Sequence, residues 1–360
     1  MTGPAHLTPA PATQRGRGAH RPTLEEVAAH AGVSRATVSR VVNGVATVDP
    51  AIAATVTASI DALNYVPNQA ARALMTRRTN ALALVAAEPD TRVFGDPFFA
   101  GIVRGVSQEL TAIGMQLVVS MVQSPEDVRR VETYLLGKPV DGVLLISEHG
   151  HHHLASTLVS HGIPLVIGGR PLDTDLDVAY VDNDNVEGAA VATRHLMSLG
   201  RSRIATIAGP LDMSAGLDRL DGFTAALGDA FDPGLVEHGD FTTDGGMAAA
   251  SRLLARAPDV DGLFVASDLM AIGALATLRR AGRRVPEDVA VVGFDDIPLA
   301  AASVPALTTV RQRTELQGRA MARVLLASTG RQLAPSDDLP DVGSDGVIVL
   351  PVELVVRDTA

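Results

Sequence analysis

Arg35, Ala36, Ser39 and Arg40 share one face of the segment Arg35–Val42, and their side chains are of the kinds that read DNA. Arginine takes a guanine edge bidentately, an alanine methyl packs on a thymine methyl or leaves room, and serine or a second arginine reaches bases and phosphates. The other face carries Val38, Val41 and Val42 at i, i+3 and i+4, the spacing of a helix that buries one side. Ser34 is placed to cap that helix, and Thr37 is either a DNA contact or part of its first turn. Upstream, Leu24, Val27 and Ala28 form the apolar stripe of an earlier helix. Ala31-Gly32-Val33 is the turn between the two, with Gly32 suited to positive φ. Thr23 serves as an N-cap or a phosphate contact, and Asn43 is a candidate backbone contact. Such a pair of helices is either an ordinary hairpin or a helix-turn-helix unit whose second helix lies in the major groove.

A second set of chemistry-bearing residues stands where apolar strands end. Asp295 follows Val-Val-Gly-Phe, Asp268 follows Leu-Phe-Val-Ala-Ser, and Arg170 follows Val-Ile-Gly-Gly. Arg219 opens a helix after Gly209-Pro210, Phe98 lies in the loop after the first strand, and Phe241 ends another. Carboxylate and guanidinium groups bond adjacent sugar hydroxyls, while an aromatic face packs on the apolar side of a pyranose. Asp268 is either a ligand contact or the cap of the next helix. Asp182 and Asn183 mark a crossover between lobes and a helix cap.

The elements that position these residues follow from periodicity. A third helix covers about 50–63. Beyond Asn80, short apolar strands at 81–87, 115–121, 141–147 and 163–168 are followed by a second series at 179–181, 204–208, 235–241, 262–266 and 289–294. Helical segments at 99–113, 186–199, 219–227, 247–257 and 270–280 lie between strands. Alternation of this kind predicts parallel sheets with helices on both faces, and two series predict two lobes. Ligands of such sheets bind at the C-terminal strand ends, where two facing lobes make a cleft. The fold class is an all-α helix-turn-helix head joined to a two-lobed α/β core. Residues 347–357 read as a terminal strand or extended segment.

Composition limits the function classes. The chain has 360 residues, 46% of them hydrophobic, and no Cys. Disulfides, thiolate zinc sites and cysteine nucleophiles are thereby excluded. No apolar run is long enough to cross a membrane. Residues 1–20 lack a signal-peptide core and read as a disordered arm of a cytoplasmic, nucleoid-associated protein. The net charge of −11 is unevenly spread. Residues 15–78 hold Arg15, Arg17, Arg21, Arg35, Arg40, Arg72, Arg77 and Arg78 against Glu25, Glu26, Asp49 and Asp61. A basic head on an acidic body orients the molecule towards phosphate. His149, His151, His152 and His153 crowd one loop without a partnering carboxylate pattern, so a solvated loop is favoured over a metal site. Gly168-Gly169 and Gly245-Gly246 match no phosphate-binding fingerprint, and no Gly-x-Ser-x-Gly elbow occurs. Neither a cofactor nor an enzyme activity is expected.

The run Thr-Val-Ser-Arg-Val-Val-Asn at 37–43, Asn-Tyr-Val-Pro-Asn at 64–68 and Ala-Arg-Ala-Leu at 71–74 resemble, in order and spacing, the lactose-repressor (LacI) family of bacterial transcription regulators. The resemblance runs over about 21–357. It implies that Arg35 and Ala36 are the main base-reading pair. It also implies a hinge helix within 67–79 that folds when two copies meet on an operator, with Leu74 wedged between base pairs from the minor groove and Asn68 and Arg72 touching DNA. Many relatives carry Thr-Arg where this chain has Ile52-Ala53, so a phosphate contact is missing and a shallow salt dependence is expected. The implied plan is a head at 21–66, the hinge at 67–79 and a body at 80–360. Within the body, one lobe holds 80–178 plus 307–340 and the other holds 179–306. No leucine heptads follow, so a homodimer is expected rather than a tetramer.

For the ligand, the resemblance favours Arg219 and Asp295, then Arg170, Phe98 and Phe241. Purine-binding members carry Arg and Thr where Met213 and Ala215 stand, which argues against a purine. The loop from Glu88 to Phe99 is similar to actinobacterial relatives that sense cellobiose and other β-glucosides. The expected function is a dimeric repressor of carbohydrate-utilisation genes, released from double-stranded operator DNA by a sugar. The alternatives are a regulator answering to a corepressor or protein partner, a sugar-binding transport protein, and an enzyme using the cleft.

Overall fold

Ala81–Ala86 reads Ala-Leu-Ala-Leu-Val-Ala, with no polar residue to mark a solvent side. Both of its faces are covered. Leu82, Leu84 and Ala86 join one buried cluster, and Ala83 and Val85 join another. This is the pattern of a parallel strand with helices on either side. The computed structural model describes residues 22–43, 47–67, 78–150, 153–336, 338–340 and 346–360. The expected arm at 1–20, the hinge residues Asn68, Arg72 and Leu74, and His151 and His152 lie outside them. The chain divides into two units, 1–79 and 80–360, each considered by itself.

The first unit contains α1 (Leu24–Ala31), α2 (Arg35–Val42) and α3 (Pro50–Ala62). Val27, Ala28, Val38 and Val56 form its buried centre, with Leu24, Val41 and Val42 packed around them. Gly32 ends α1 at φ 67°, which spares a Cβ at the sharp turn into α2.

The second unit holds two six-stranded sheets. The first has β1 (Ala81–Ala86), β2 (Gln116–Met121), β3 (Gly142–Ile146), β4 (Leu165–Gly168), β5 (Ala179–Asn183) and β11 (Val347–Leu350), in the order β11-β5-β4-β3-β1-β2. The second has β6 (Ile204–Ala208), β7 (Val236–His238), β8 (Gly262–Val265), β9 (Ala290–Asp295), β10 (Thr308–Arg311) and β12 (Glu353–Val355), in the order β12-β10-β9-β8-β6-β7. All pairings are parallel except β10 with β12.

Helices α5 (Pro97–Ala112) and α13 (Thr314–Ser328) pack on one face of the first sheet, and α6 (Pro125–Leu136) and α7 (Leu154–Ser160) on the other. A one-turn helix α4 (Asp90–Gly95) precedes α5. The second sheet is covered by α8 (Asn185–Ser198) and α9 (Ser214–Leu227) on one face. Helices α10 (Thr243–Arg256) and α11 (Asp268–Arg280) cover the other. Short α12 (Pro298–Ala302) follows β9.

The lobe boundaries differ from expectation. β5 was expected to open the second lobe, yet Ala179 pairs with Val166 of β4, so residues 179–183 complete the first sheet. Residues 307–311 were expected to return to the first lobe, yet Thr308 pairs with Val292 of β9. The chain crosses three times, after β5, after β10 and between β11 and β12. Residues 347–357 are therefore two strands, one in each sheet. A strand of four or five residues carries no mark of which sheet it joins; its hydrogen-bonded neighbours decide that.

α5 and α13 meet backbone to backbone. A methyl group on Gly105 would overlap Glu315 O, and one on Gly318 would overlap Ile102 O. Overpacking a close contact of this kind costs about 1–3 kcal/mol. Gly105→Ala is therefore expected to lower the melting temperature of the protein without changing its far-ultraviolet circular dichroism. An unchanged melting temperature would show that the two helices separate freely.

Candidate functional site

In the head, the second helix begins at Ser34, whose hydroxyl accepts from Thr37 N–H at 3.1 Å and lies 2.9 Å from Thr37 Oγ1. Thr23 forms a reciprocal capping box. Its N–H donates to Glu26 Oε2 at 2.7 Å, and its hydroxyl accepts from Glu26 N–H. Asn43 Nδ2 donates to Ser39 Oγ at 3.3 Å. Thr23, Ser34, Thr37, Ser39 and Asn43 thus serve the helix ends in this structure. Arg35, Ala36 and Arg40 are exposed on the outer face of α2. Arg35 Nε lies 3.1 Å from Glu25 Oε1 of α1, and both side chains are open to solvent. Ile52 is exposed at the start of α3 and has no charge to offer phosphate.

In the body, the C-terminal strand ends of both sheets face one cleft. From the first lobe it receives Phe98, in the first turn of α5, with Ser147, Glu148, Arg170 and Asp182. From the second it receives Met213, Arg219, Phe241 and Asp295, with Gln312 at a crossover. Arg219 is the fixed point. Its Nε donates to Asn185 Oδ1 at 2.9 Å and its Nη1 to Ala266 O at 2.6 Å. Nη1 lies 3.4 Å from Asp295 Oδ1. The guanidinium sits 3.7 Å from the Phe294 ring centroid and 5.7 Å from that of Phe241, within the range of cation–π attraction. Burial pulls the Arg219 pKa down, and Asp295, Asp182, Asp268 and Asp96 oppose this.

The carboxyl groups bear the same cost of burial with the opposite sign. Asp295 is pushed up to about 7 by burial, against the pull of Arg219 and with Asp96 adding to the rise. Burial likewise raises Glu148 to about 7 and Asp182 to about 6. Arg170 reaches across the cleft, its Nη2 2.6 Å from Asp218 Oδ1 of α9, while its backbone N–H donates to Asp182 Oδ2 at 3.1 Å. Phe241 is buried at φ 61° beneath Arg92, 5.2 Å from its ring.

Several expectations change. Arg219 does not open its helix; Ser214 does, and Arg219 lies in the second turn. Phe98 is helical rather than in a loop. Asp268 neither caps nor lines the cleft. Ser267 is the cap, and the fully buried Asp268 carboxylate accepts from Thr309 Oγ1 at 2.6 Å and Ile297 N–H at 2.9 Å. The cap of α8 is Asp184, not Asp182 or Asn183. Gln312, Asp218 and Asn185 were not anticipated. Gln312 Nε2 donates to Asp295 Oδ1 at 2.6 Å; its place at the end of β10 would have marked it, had that strand been assigned to the second sheet.

A helix-turn-helix head and a two-lobed body with a polar, aromatic-flanked cleft define a ligand-responsive regulator. Comparison supports that class. Residues 23–68 match the model of bacterial regulatory proteins of the lacI family, and 193–360 match a periplasmic binding protein-like domain. The chain is 50% identical over 344 residues to the HTH-type transcriptional regulator CelR of Thermobifida fusca, covering 94% of this chain and 98% of the relative. A CelR–cellobiose complex superposes with a TM-score of 0.73 at 48% identity, over 94% of this chain and 100% of that one. The lac repressor dimer bound to operator and an anti-inducer gives 0.81 at 28% identity, over 94% and 99%. The chain belongs to the LacI family of bacterial transcription regulators.

The Asp295 shift has a measurable consequence. A carboxyl held at about 7 in the folded protein, against 3.8 for the ordinary group, favours folding fully below the lower value and loses that contribution as pH rises through the upper one. Asp295→Asn removes this loss. Its melting temperature is expected to gain on the wild type as pH rises from about 5 to 8. A difference that stays constant with pH would contradict the shift.

Proposed function

We propose that this protein is a dimeric repressor of carbohydrate-utilisation genes whose cleft takes a β-linked glucose disaccharide such as cellobiose. One observation carries the ligand class: Arg219 and Asp295 offer charged hydrogen-bonding groups in a cleft whose two hollows are both lined by the half-buried Phe98. The likeness to a CelR–cellobiose complex supports the choice of sugar, and the lac repressor dimer on its operator supports the paired head. Phe98 and Arg170 complete the sugar site from the first lobe. Ligand binding, not turnover, is the role of these groups, since Asp295 and Arg170 are each engaged by a charged partner.

The cleft holds two adjoining hollows of about 70 and 60 Å³, far below the roughly 300 Å³ at which small-molecule sites begin. A disaccharide therefore requires the lobes to part, and the Arg170–Asp218 bridge opens as they do. The sugar weakens DNA binding by favouring one lobe arrangement over the other, an effect no larger than its difference in affinity for the two. On the DNA side, Arg35 reads a base, Ala36 and Arg40 flank it, and Leu74 of the hinge wedges the minor groove. The protein then works at the nucleoid.

Fluorescence anisotropy on a palindromic operator from the gene's own upstream DNA tests this, with a panel of mono- and disaccharides at fixed salt. Release by cellobiose is expected; tight binding that no sugar weakens would refute the carbohydrate role. In the same assay Arg35→Ala should relax base preference at one symmetric position per half-site. Glu25→Gln frees Arg35 from a surface pair of about 0–1 kcal/mol and should tighten operator binding up to a few-fold. Looser binding by Glu25→Gln would show that the pair aims Arg35 rather than restraining it.

A further inference from the structure

His149 follows β3 in the first lobe, and both of its ring nitrogens face carboxylates. Nδ1 lies 2.8 Å from Asp212 Oδ2, in the second lobe beyond β6. Nε2 lies 3.5 Å from Glu88 Oε1, in the first lobe beyond β1. The next residue repeats the crossing, as Gly150 N–H donates to Asp212 O at 2.8 Å. Arg92 adds a second tie from α4. Its Nη1 is 3.0 Å from Glu88 Oε1 and donates to Asp240 O of the second lobe at 3.2 Å.

A neutral imidazole has one N–H and one lone pair. It can donate to only one of these carboxylates and turns its lone pair towards the other. The imidazolium donates to Asp212 and sets its charge 3.5 Å from Glu88 Oε1. Glu88 is 4% exposed, so the charge opposite it acts through a medium of low dielectric and counts for more than a surface pair would. We propose that protonated His149 latches the two lobes together between Glu88 and Asp212, and that the cleft is released when His149 gives up its proton.

The surroundings favour the charged ring on balance. Glu88 first, then Asp212, raise the His149 pKa above its ordinary value, against the cost of burial. Arg92 beside Glu88 opposes the charge, and Glu148, His153 and Asp173 border the chamber next to the ring. Once the lobes part, Asp212 is withdrawn and the pKa falls. The closed form is thus the better proton binder. Its advantage is fully present below the open-form pKa and is lost as pH rises through the closed-form one.

The chain has no Cys, so two introduced cysteines carry spin labels without competition. Exposed Gln123 of the first lobe and Asp244 of the second are suitable sites. Distances between labels on the Gln123→Cys, Asp244→Cys protein, measured without ligand from about pH 5.5 to 8.5, span the imidazole range. The short-distance population is expected to shrink as pH rises. His149→Gln, which keeps one N–H donor and cannot titrate, is expected to abolish that dependence. Asp212→Asn is expected to enlarge the open population at the acid end. A pH-independent distribution in the parent protein overturns the latch. So does a pH response that survives His149→Gln, which would assign it to Glu148, Asp182 or Asp295 instead.

Discussion

A guanidinium cannot be buried without partners, and the cleft is arranged around that constraint. Arg219 lies in α9 with 5% of its surface exposed. Losing water would cost it several kcal/mol if nothing replaced the hydration. The replacements come from Asn185 at the start of α8, the carbonyl of Ala266 after β8, and Asp295 at the end of β9. Each partner is itself secured. Asn185 Nδ2 donates to Asp182 Oδ1 at 3.0 Å, and Gln312 holds Asp295. Asp182 belongs to the first sheet and Gln312 to a crossover, so one hydrogen-bonded network spans the cleft floor and the joints between lobes. A ligand that took a bond from Arg219 would do so at the place where the lobes are connected.

The same economy applies to acids. Asp96, Asp182, Asp268 and Asp295 all lie within reach of Arg219, and one cation cannot offset four buried carboxylates. The raised pKa values of Asp295 and Asp182 express that imbalance. Asp268 is raised well above the ordinary carboxylate range by burial and by Asp295; bonds from Thr309 and Ile297 only partly offset this and make it a structural tie from the start of α11 to β10 and the loop after β9. Chemically similar aspartates at neighbouring strand ends thus divide into cleft-lining and structural groups according to which donors surround them.

Much of this was legible in the sequence. Alternating apolar segments gave strands and helices because both faces of each sheet are covered, which leaves uninterrupted runs such as that of β1. The head was legible from Val38, Val41 and Val42 opposite Arg35 and Arg40. Phe98, Arg170, Arg219, Phe241 and Asp295 were found from the rule that strand ends carry ligand contacts, and they converge on one cleft. What failed was long-range. The sheet to which β5 and β10 belong is settled by partners far along the chain, and with it went Gln312. Asp268 was misread because a carboxylate beside a helix start looks alike in sequence whether it caps, binds or braces. The cross-lobe partners Asp218 and Asp212 had no local signal, since each is an ordinary aspartate until the other lobe is folded against it.

The position of β11 has a consequence for how the chain is made. Val347–Leu350 completes the first sheet beside β5, yet it leaves the ribosome only after the whole second lobe. Until then β5 keeps an open edge, a row of unpaired backbone groups that another chain could join. The first lobe therefore cannot finish before the second has been made, as an N-terminal domain ordinarily would. Its last strand and the last strand of the second sheet lie within a few residues of each other, so the two lobes complete their sheets almost together. A chain cut short before residue 347 leaves that edge of β5 open, with nothing of its own to cover it.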